Sequence, residues 1–247
     1  MKKIVLLPMD ERPCNYKFPK RLFENEEIQI IEPKQLGFKK DGADYQAIKE
    51  FLCKECKDAY GLIISMDMLL YGGLIPSRIH HQDEESLVKK LEIIKELRKE
   101  NPNLKIFAFQ CIMRCPSYSS SDEEPDYYEE YGKQIHDLGE AVNMHQVGIS
   151  QGQRISELTK EIPEEYIEDF ISRREINRQM NMNVIDLLQE GYLDSLVIPQ
   201  DDSTTYGYPA MDQKVIREKI QELGLIDRVL IYPGADEVEL TLFARML

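Results

Sequence analysis

Acidic residues follow four short apolar runs of this sequence, and carboxylates can transfer protons or bind hard cations. The runs and the acids after them are Ile4–Leu7 with Asp10 and Glu11, Leu62–Ile64 with Asp67, Leu196–Ile198 with Asp201 and Asp202, and Val229–Ile231 with Asp236 and Glu237. In parallel α/β folds the carboxyl ends of the strands lie at one edge of the sheet. The pattern therefore predicts a single carboxylate-rich cleft at that edge.

Two pairs of adjacent acids are the candidates for catalysis. Asp201 and Asp202 are the first choice for a proton donor and an assisting carboxylate, because two desolvated acids raise each other's pKa. Asp236 and Glu237 are the second pair. Each pair also has a structural alternative, since acids are common in turns after strands and are favoured by the dipole in a first helical turn.

Other polar and aromatic residues near the same edge are candidates for substrate binding. Arginines can neutralise the acids or hold hydroxyl and anionic groups of a substrate. Tyrosines offer flat faces on which a sugar can stack. The candidates are Asp10, Arg12, Asp67, Tyr71, Arg78, Arg114, Asn177 and Tyr206, with Tyr118 as a further stacking face.

One predicted helix, at about residues 166–190, carries polar groups at regular spacing. Arg173, Asn177 and Asn181 recur every four residues and share one face of the helix. Arginine and asparagine in place of lysine and glutamate indicate buried hydrogen bonding. An ordinary solvated face is the alternative.

The elements that must position these residues alternate between strand and helix. Short apolar runs predict six strands, at Lys3–Leu7, Ile28–Glu32, Gly61–Ser65, Leu104–Gln110, Ser195–Pro199 and Arg228–Tyr232. Amphipathic segments predict helices at Ser86–Glu100 and Val215–Leu223. We therefore expect one α/β domain over residues 1–247, with a mainly parallel sheet of about six βα units. The sheet is expected to be part of a (β/α)8 barrel, and an open doubly wound sheet is the alternative.

Residues 116–125 form the least regular stretch, Pro-Ser-Tyr-Ser-Ser-Ser-Asp-Glu-Glu-Pro. This composition is typical of a loop. It is either a lid or binding loop at the edge of the sheet, or merely a solvated connection.

Composition limits the partners. The net charge of −14 repels polyanions, which argues against nucleic acid or an anionic membrane surface as a general partner. The sequence has no long apolar stretch, and the apolar segment after Lys3 is too short for a signal peptide, so we expect a cytoplasmic protein with a small-molecule or sugar substrate. The sequence does not indicate an oligomeric state.

The five cysteines, at positions 14, 53, 56, 111 and 115, are predicted to be reduced thiols. A four-thiolate zinc site from Cys53, Cys56, Cys111 and Cys115 is the weaker alternative. None of the four histidines belongs to a zincin motif or accompanies a nucleophile elbow, and no phosphate-binding glycine motif is present.

These residues support three functions. The first is a hydrolase that acts on a carbohydrate or glycoside through the paired carboxylates, whose separation, about 5 Å or roughly 6.5 to 9.5 Å, sets retention or inversion. The second is a hydrolase that depends on Mg²⁺, Mn²⁺ or Ca²⁺ held by Asp10, Asp67, Asp201 and Asp236. The third is a noncatalytic small-molecule binding domain.

Five blocks along the chain resemble the signature of the bacterial DUF4127 family, whose function is unknown. The blocks are Leu7–Tyr16, Ser65–Arg78, Arg173–Asn177 with Asn181, Gln200–Ser203 with Tyr206 and Gly207, and Tyr232–Val238. The resemblance implies a family pattern about twice this length. Together with the uncapped amphipathic segment at 238–247, it predicts that the chain is truncated relative to the family.

Overall fold

The computed structural model describes residues 1–247, which form six strands and eleven helices. The strands are β1 (Lys2–Leu7), β2 (Ile28–Ile31), β3 (Gly61–Ser65), β4 (Lys105–Phe109), β5 (Ser195–Gln200) and β6 (Val229–Pro233). The helices are α1 (Pro13–Tyr16), α2 (Phe18–Phe23), α3 (Tyr45–Glu55), α4 (Met66–Tyr71), α5 (Pro76–Ile79), α6 (Glu84–Glu100), α7 (Tyr128–Gln146), α8 (Gly152–Glu161), α9 (Glu164–Gln189), α10 (Tyr208–Glu222) and α11 (Val238–Met246). Every strand end lies within one residue of the predicted bound.

All six strands are parallel and lie in one sheet, in the order β2-β1-β3-β4-β5-β6. The predicted α/β fold with six parallel strands is therefore confirmed. The sheet is open and does not close into a (β/α)8 barrel, because β2 and β6 each pair with a strand on one side only. The open doubly wound sheet, given above as the alternative, is the architecture that the chain adopts.

Helices cover both faces of the sheet. Apolar residues of α3, α4, α6, α9 and α10 pack on one face in the largest buried cluster. The opposite face packs against α11 and α2, and the rings of Phe23 and Phe243 stack there at 5.2 Å. A third cluster joins α7, α8, α9 and α10 beside the sheet. None of these helices combines the length and the apolar composition needed to cross a lipid bilayer.

The direction of winding reverses at β1. The chain passes from β1 to β2 on one side, then crosses back so that β3 pairs with the other side of β1. In open α/β sheets such a switch point, outside the carboxyl ends of the strands, is where ligands bind. The segments after β1 and β3 carry Asp10 and Arg78, so the switch point lies at the same edge of the sheet as the acidic residues.

Candidate functional site

A cleft of about 530 Å³ lies at the carboxyl edge of the sheet, a volume in the range of small-molecule sites. The segments that follow all six strands contribute to it. Its lining comprises Asp10, Glu11 and Arg12 after β1, Lys39 after β2, Leu74, Ile75 and Arg78 after β3, Arg114, Tyr118, Ser120, Asp122, Glu123 and Glu124 after β4, Asp201 after β5, and Asp236 after β6.

Arg12 joins the first and last of these segments. It is the residue before Pro13, which begins α1, so its backbone is fixed at the start of a helix. Its Nε donates to Oδ2 of Asp10 at 2.8 Å, and its Nη1 and Nη2 donate to the two carboxylate oxygens of Asp236 at 3.2 and 2.6 Å. Asp10 is buried and also accepts from Nδ2 of Asn15 at 2.8 Å. One guanidinium therefore holds two cleft carboxylates.

A second centre is formed by Arg78 and Arg114, which we call the arginine pair. Both side chains are buried, with 2% and 10% of their surface exposed. Asp201 approaches both of them through Oδ2, which lies 3.1 Å from Nη2 of Arg78 and 3.6 Å from Nη1 of Arg114. Its other oxygen, Oδ1, takes no part in these ion pairs. Buried guanidinium groups require such partners, because an unpaired charge in the interior is strongly unfavourable.

Glu123 and Glu124 complete the set of carboxylates on the arginine pair. Oε1 of Glu124 accepts from Nε of Arg114 at 2.7 Å and from Nη1 of Arg78 at 3.5 Å. Oε2 of Glu123 accepts from Nη2 of Arg114 at 2.9 Å and from Nη1 of Arg78 at 3.1 Å. Glu124 is buried, its Oε2 has no hydrogen-bond partner, and burial raises its pKa although Arg78 and Arg114 oppose that shift.

Both glutamates belong to residues 116–126, an irregular segment that we call the strap. Because the strap contributes side chains to the lining of the cleft, its position favours the binding-loop interpretation over a merely solvated connection. Ser121 donates through its backbone N–H and its hydroxyl to Oε2 of Glu129, and Oγ of Ser119 accepts from the backbone N–H of Lys133. These bonds fasten the strap to α7.

Seven of the residues predicted from sequence line the cleft, and six do not. Those in the lining are Asp10, Arg12, Arg78, Arg114, Tyr118, Asp201 and Asp236. Those outside it are Asp67, Tyr71, Asn177, Asp202, Tyr206 and Glu237. Local structure explains most of the second group.

Asp67 and Tyr71 are buried beneath the cleft, because α4 begins directly after β3 and leaves no open loop there. Asp67 accepts a hydrogen bond from the backbone N–H of Cys111 at 2.9 Å, and burial raises its pKa to about 7. The ring of Tyr71 stacks on His80 at 4.6 Å, so it offers no face to a sugar.

Asn177 is buried outside the cleft lining and contacts the segment that carries Arg78. Its Nδ2 donates to the carbonyl oxygen of Ser77 at 2.8 Å, and its Oδ1 lies 2.8 Å from Nε2 of His80. These contacts position α5, which carries Arg78. Burial lowers the pKa of His80 to about 4.

The remaining three residues lie outside the lining for separate reasons. Asp202 is exposed, has a φ of 48°, and approaches Arg114 only at 3.8 Å. Glu237 immediately precedes α11 and folds over Gly234, where a Cβ would lie 2.5 Å from its Oε1. Tyr206 lies just before α10, and its carbonyl oxygen accepts from Oγ1 of Thr204 at 2.6 Å.

The polar face of α9 is buried, which confirms the hydrogen-bonding interpretation. Arg173 donates through Nε to the carbonyl oxygen of His80 at 2.8 Å, and Asn181 donates to that of Cys111 at 3.4 Å. Sequence reasoning missed Arg174, whose Nη1 donates to the carbonyl oxygen of Arg114 at 3.1 Å while its Nε pairs with Asp212 at 2.7 Å. The face of α9 thus orients the segments that carry the arginine pair.

Glu239 is a buried acid that sequence reasoning also missed. It lies on α11 with no exposed surface, and its Oε1 accepts from the backbone N–H of Met9 at 3.0 Å. Burial raises its pKa to about 8. The available signal was a single glutamate among the apolar residues of the segment at 238–247.

The four acids predicted to share a hard cation do not form a ligand cluster. No group of three or more histidine, cysteine, aspartate or glutamate side chains is arranged to hold a metal ion. Asp10 and Asp236 are bound to Arg12, Asp201 to the arginine pair, and Asp67 lies below the cleft.

All five cysteines are free thiols, as predicted. The alternative four-thiolate zinc site does not form. Cys56 and Cys111 belong to apolar clusters on opposite faces of the sheet, so the two pairs of cysteines cannot meet.

Together the fold and the cleft define an open, parallel α/β protein with a polar cleft at the carboxyl edge of its sheet. The chain belongs to the DUF4127 family, described as proteins of unknown function, whose pattern it matches over residues 4–247. No curated protein matches the sequence. Among solved structures, an aminotransferase from Anaerococcus prevotii is similar at 13% identity and a TM-score of 0.27, over 92% of this chain and 49% of that one. The chain thus spans about half the length of that protein, and at this TM-score the likeness supports no inference about function.

Proposed function

We propose that the chain is a hydrolase that acts on a small carbohydrate or glycoside in the cleft. The observation that carries the proposal is the convergence of carboxylates from separate strands on one cleft of about 530 Å³. Asp201 and Asp236 come from the ends of the neighbouring strands β5 and β6, and Glu124 reaches the same cleft from the strap. Glycoside hydrolysis needs two carboxyl groups, one to protonate the leaving oxygen and one to attack or to activate water.

The lining supports a hydroxyl-rich ligand. It carries seven carboxylates and four cationic groups, so it is an acidic cleft in which both kinds of group can hydrogen bond to hydroxyls. The least polar lining residues are Leu74, Ile75 and Tyr118. Tyr118 is half exposed and takes the sugar-stacking role that the buried Tyr71 cannot.

The surroundings of each carboxyl group favour a division of roles. Asp201 is anchored through Oδ2 by the arginine pair, which leaves Oδ1 to act as base or nucleophile. Glu124 is suited to donate the proton, because burial raises its pKa. Asp236 has both oxygens on Arg12, so it is better placed to hold Arg12 than to transfer a proton.

The same ion pairs favour one alternative, a noncatalytic binding domain. Asp10, Asp201 and Asp236 are each bound to arginine, and carboxylates used in this way can serve only to shape a polar binding site. Turnover separates the two functions, since a binding domain releases no product.

The compartment and the partners are inferred from composition. Free thiols at all five cysteines are typical of a reducing compartment and support a cytoplasmic location. The net charge of −14 supports a small-molecule substrate over nucleic acid.

The test is a panel of aryl glycosides incubated with the purified chain, with release of the aryl group followed by absorbance. We expect release from at least one glycoside above the rate in buffer. Absence of release from every member, with a cooperative thermal transition showing that the chain is folded, would contradict the proposal and leave the binding domain as the better account.

A further inference from the structure

We infer that the arginine pair binds a carboxylate of the substrate, so that the sugar is an acidic one of the uronate type, and that Glu123 holds this position until the substrate replaces it. The inference rests on the proposed function, because it names the class of sugar that the cleft takes.

Glu123 binds the arginine pair in the way that the carboxylate of a ligand would. A single oxygen, Oε2, accepts from Arg114 at 2.9 Å and from Arg78 at 3.1 Å. The two guanidinium groups are buried, whereas 45% of the Glu123 side chain is exposed. The donors are therefore fixed by the interior, and the acceptor is a surface side chain that can rotate into solvent.

Among the three carboxyl groups on the arginine pair, Glu123 is the acceptor that can leave. When it rotates away, Arg78 keeps its bonds to Asp201 and Glu124. Arg114 keeps its bond to Glu124 and its ion pair with Asp201. Both buried guanidinium groups therefore retain carboxyl partners. A ligand carboxylate that replaces Glu123 restores the hydrogen bonds that Glu123 made.

Departure of Glu123 does not require the strap to unfold. Ser119 and Ser121 are bonded to α7, and the carboxyl group of Glu124, the next residue, is held by Arg114. Rotation of one side chain is sufficient.

A carboxylate fits this position better than a phosphate. Guanidinium groups bind both, and their planar fork matches a carboxylate well. The lining as a whole carries seven carboxylates against four cationic groups, so it repels a dianion more strongly than a monoanion.

The test is calorimetric titration of the chain with glucuronate, glucose and glucose 6-phosphate. Glu123→Gln removes the charge that competes for the arginine pair. Asp122→Asn is the matched control, because it removes one negative charge from the neighbouring cleft residue, which has no ion pair to the arginines. Glu123→Asp keeps the charge but shortens the side chain, and thermal unfolding checks that each variant is folded.

We expect glucuronate to bind the unmodified chain more tightly than glucose. Glu123→Gln is expected to raise the glucuronate affinity about tenfold, the scale of one charge-assisted hydrogen bond, and to leave glucose unchanged. Asp122→Asn should change it by less than about threefold, as expected for a screened surface charge. Glu123→Asp should also raise it, since the shorter side chain does not bridge both arginines.

Four outcomes would overturn the inference. Equal gains in Asp122→Asn and Glu123→Gln would show a general charge effect, and tighter binding of glucose 6-phosphate would identify a phosphate site. Equal affinity for glucose and glucuronate would remove the acidic substrate but leave a sugar-binding cleft. Absence of binding by all three sugars would contradict the proposed function as well.

Discussion

The guanidinium of Arg12 binds both carboxylate oxygens of Asp236, at 3.2 and 2.6 Å, although 224 positions separate the two residues in sequence. The strands before them, β1 and β6, are not neighbours, because β3, β4 and β5 lie between them. The ion pair therefore links the segments after β1 and β6 across the carboxyl edge of the sheet, and both residues line the cleft. Glu239 adds a second link between the same segments through the N–H of Met9.

The Arg12–Asp236 pair is expected to shape the cleft without contributing much to stability. Both side chains are substantially exposed, at 41% and 55%, and such pairs contribute about 1 kcal/mol or less. A double-mutant cycle of Arg12→Met and Asp236→Asn, measured by urea unfolding, should give a coupling energy in that range. A coupling energy above about 2 kcal/mol would mean that the pair is part of the folding core.

Because Asp67 is buried, its ionisation is expected to lower the free energy of unfolding as pH rises. Its folded pKa is about 7, above its ordinary value of 3.8, because burial favours the protonated acid. Its contribution to stability is therefore full below pH 3.8 and is lost as pH rises through about 7. Between these values the folded chain holds the extra proton, and the free energy of unfolding falls by up to about 1.4 kcal/mol per pH unit.

Asp67→Asn should remove this part of the pH dependence, which urea unfolding at pH 5, 6, 7 and 8 would measure. Glu239→Gln is the comparison variant. The pKa of Glu239 is about 8, so its effect should extend one pH unit higher. An Asp67→Asn variant with the same slope as the unmodified chain would show that Asp67 is ionised in the folded state.

Gly72 is expected to tolerate no side chain. It ends α4 with a φ of 89°, and a Cβ there would lie 2.6 Å from the backbone nitrogen of Ala43. Gly148 is a matched control, since its φ is 90° and no atom lies within 4 Å of its added Cβ. Gly148→Ala should cost about 1 to 2 kcal/mol from backbone strain alone, and Gly72→Ala about 1 to 3 kcal/mol more from the clash. Equal losses of unfolding free energy would mean that the loop near Ala43 moves freely.

The thiols are expected to divide into two classes. Cys14 and Cys53 are partly exposed, whereas Cys56, Cys111 and Cys115 are buried. Burial raises the pKa of all five thiols, which disfavours the reactive thiolate, and the three buried sulfur atoms are also out of reach of a reagent. Titration with a chromogenic disulfide should modify two thiols in the folded chain and five after unfolding. Rapid reaction of Cys111 in the folded chain would contradict the packing of its cluster.

The strands could be predicted from sequence because their signal is local. Runs such as Ile4–Leu7 are fully buried, and the strand around each run extends at most two residues beyond it. The order of the strands and the absence of closure depend on pairing between distant segments, which a single sequence does not reveal. The α/β class was therefore predictable, and the choice between a barrel and an open sheet was not.

The distinction between local sequence signals and long-range contacts applies to the site as well. Asp10, Asp201 and Asp236 follow strands through open loops, so the rule of acids at strand ends found them. It failed for Asp67, because α4 starts at once after β3 and carries that residue into the interior. Glu123 and Glu124 were missed because the strap brings them back to the cleft from well beyond the end of β4.

The central claim is that Asp201 acts on a sugar bound in the cleft, and its most direct test is to measure turnover and binding together in Asp201→Asn. Asp126→Asn is the control, because that strap side chain is fully exposed and lies outside the cleft lining. On the best aryl glycoside, Asp201→Asn should lower kcat by about 100-fold or more while the Kd for the sugar changes only a few-fold, and the control should behave like the unmodified chain. An Asp201→Asn variant that retains the turnover of the unmodified chain would contradict the account.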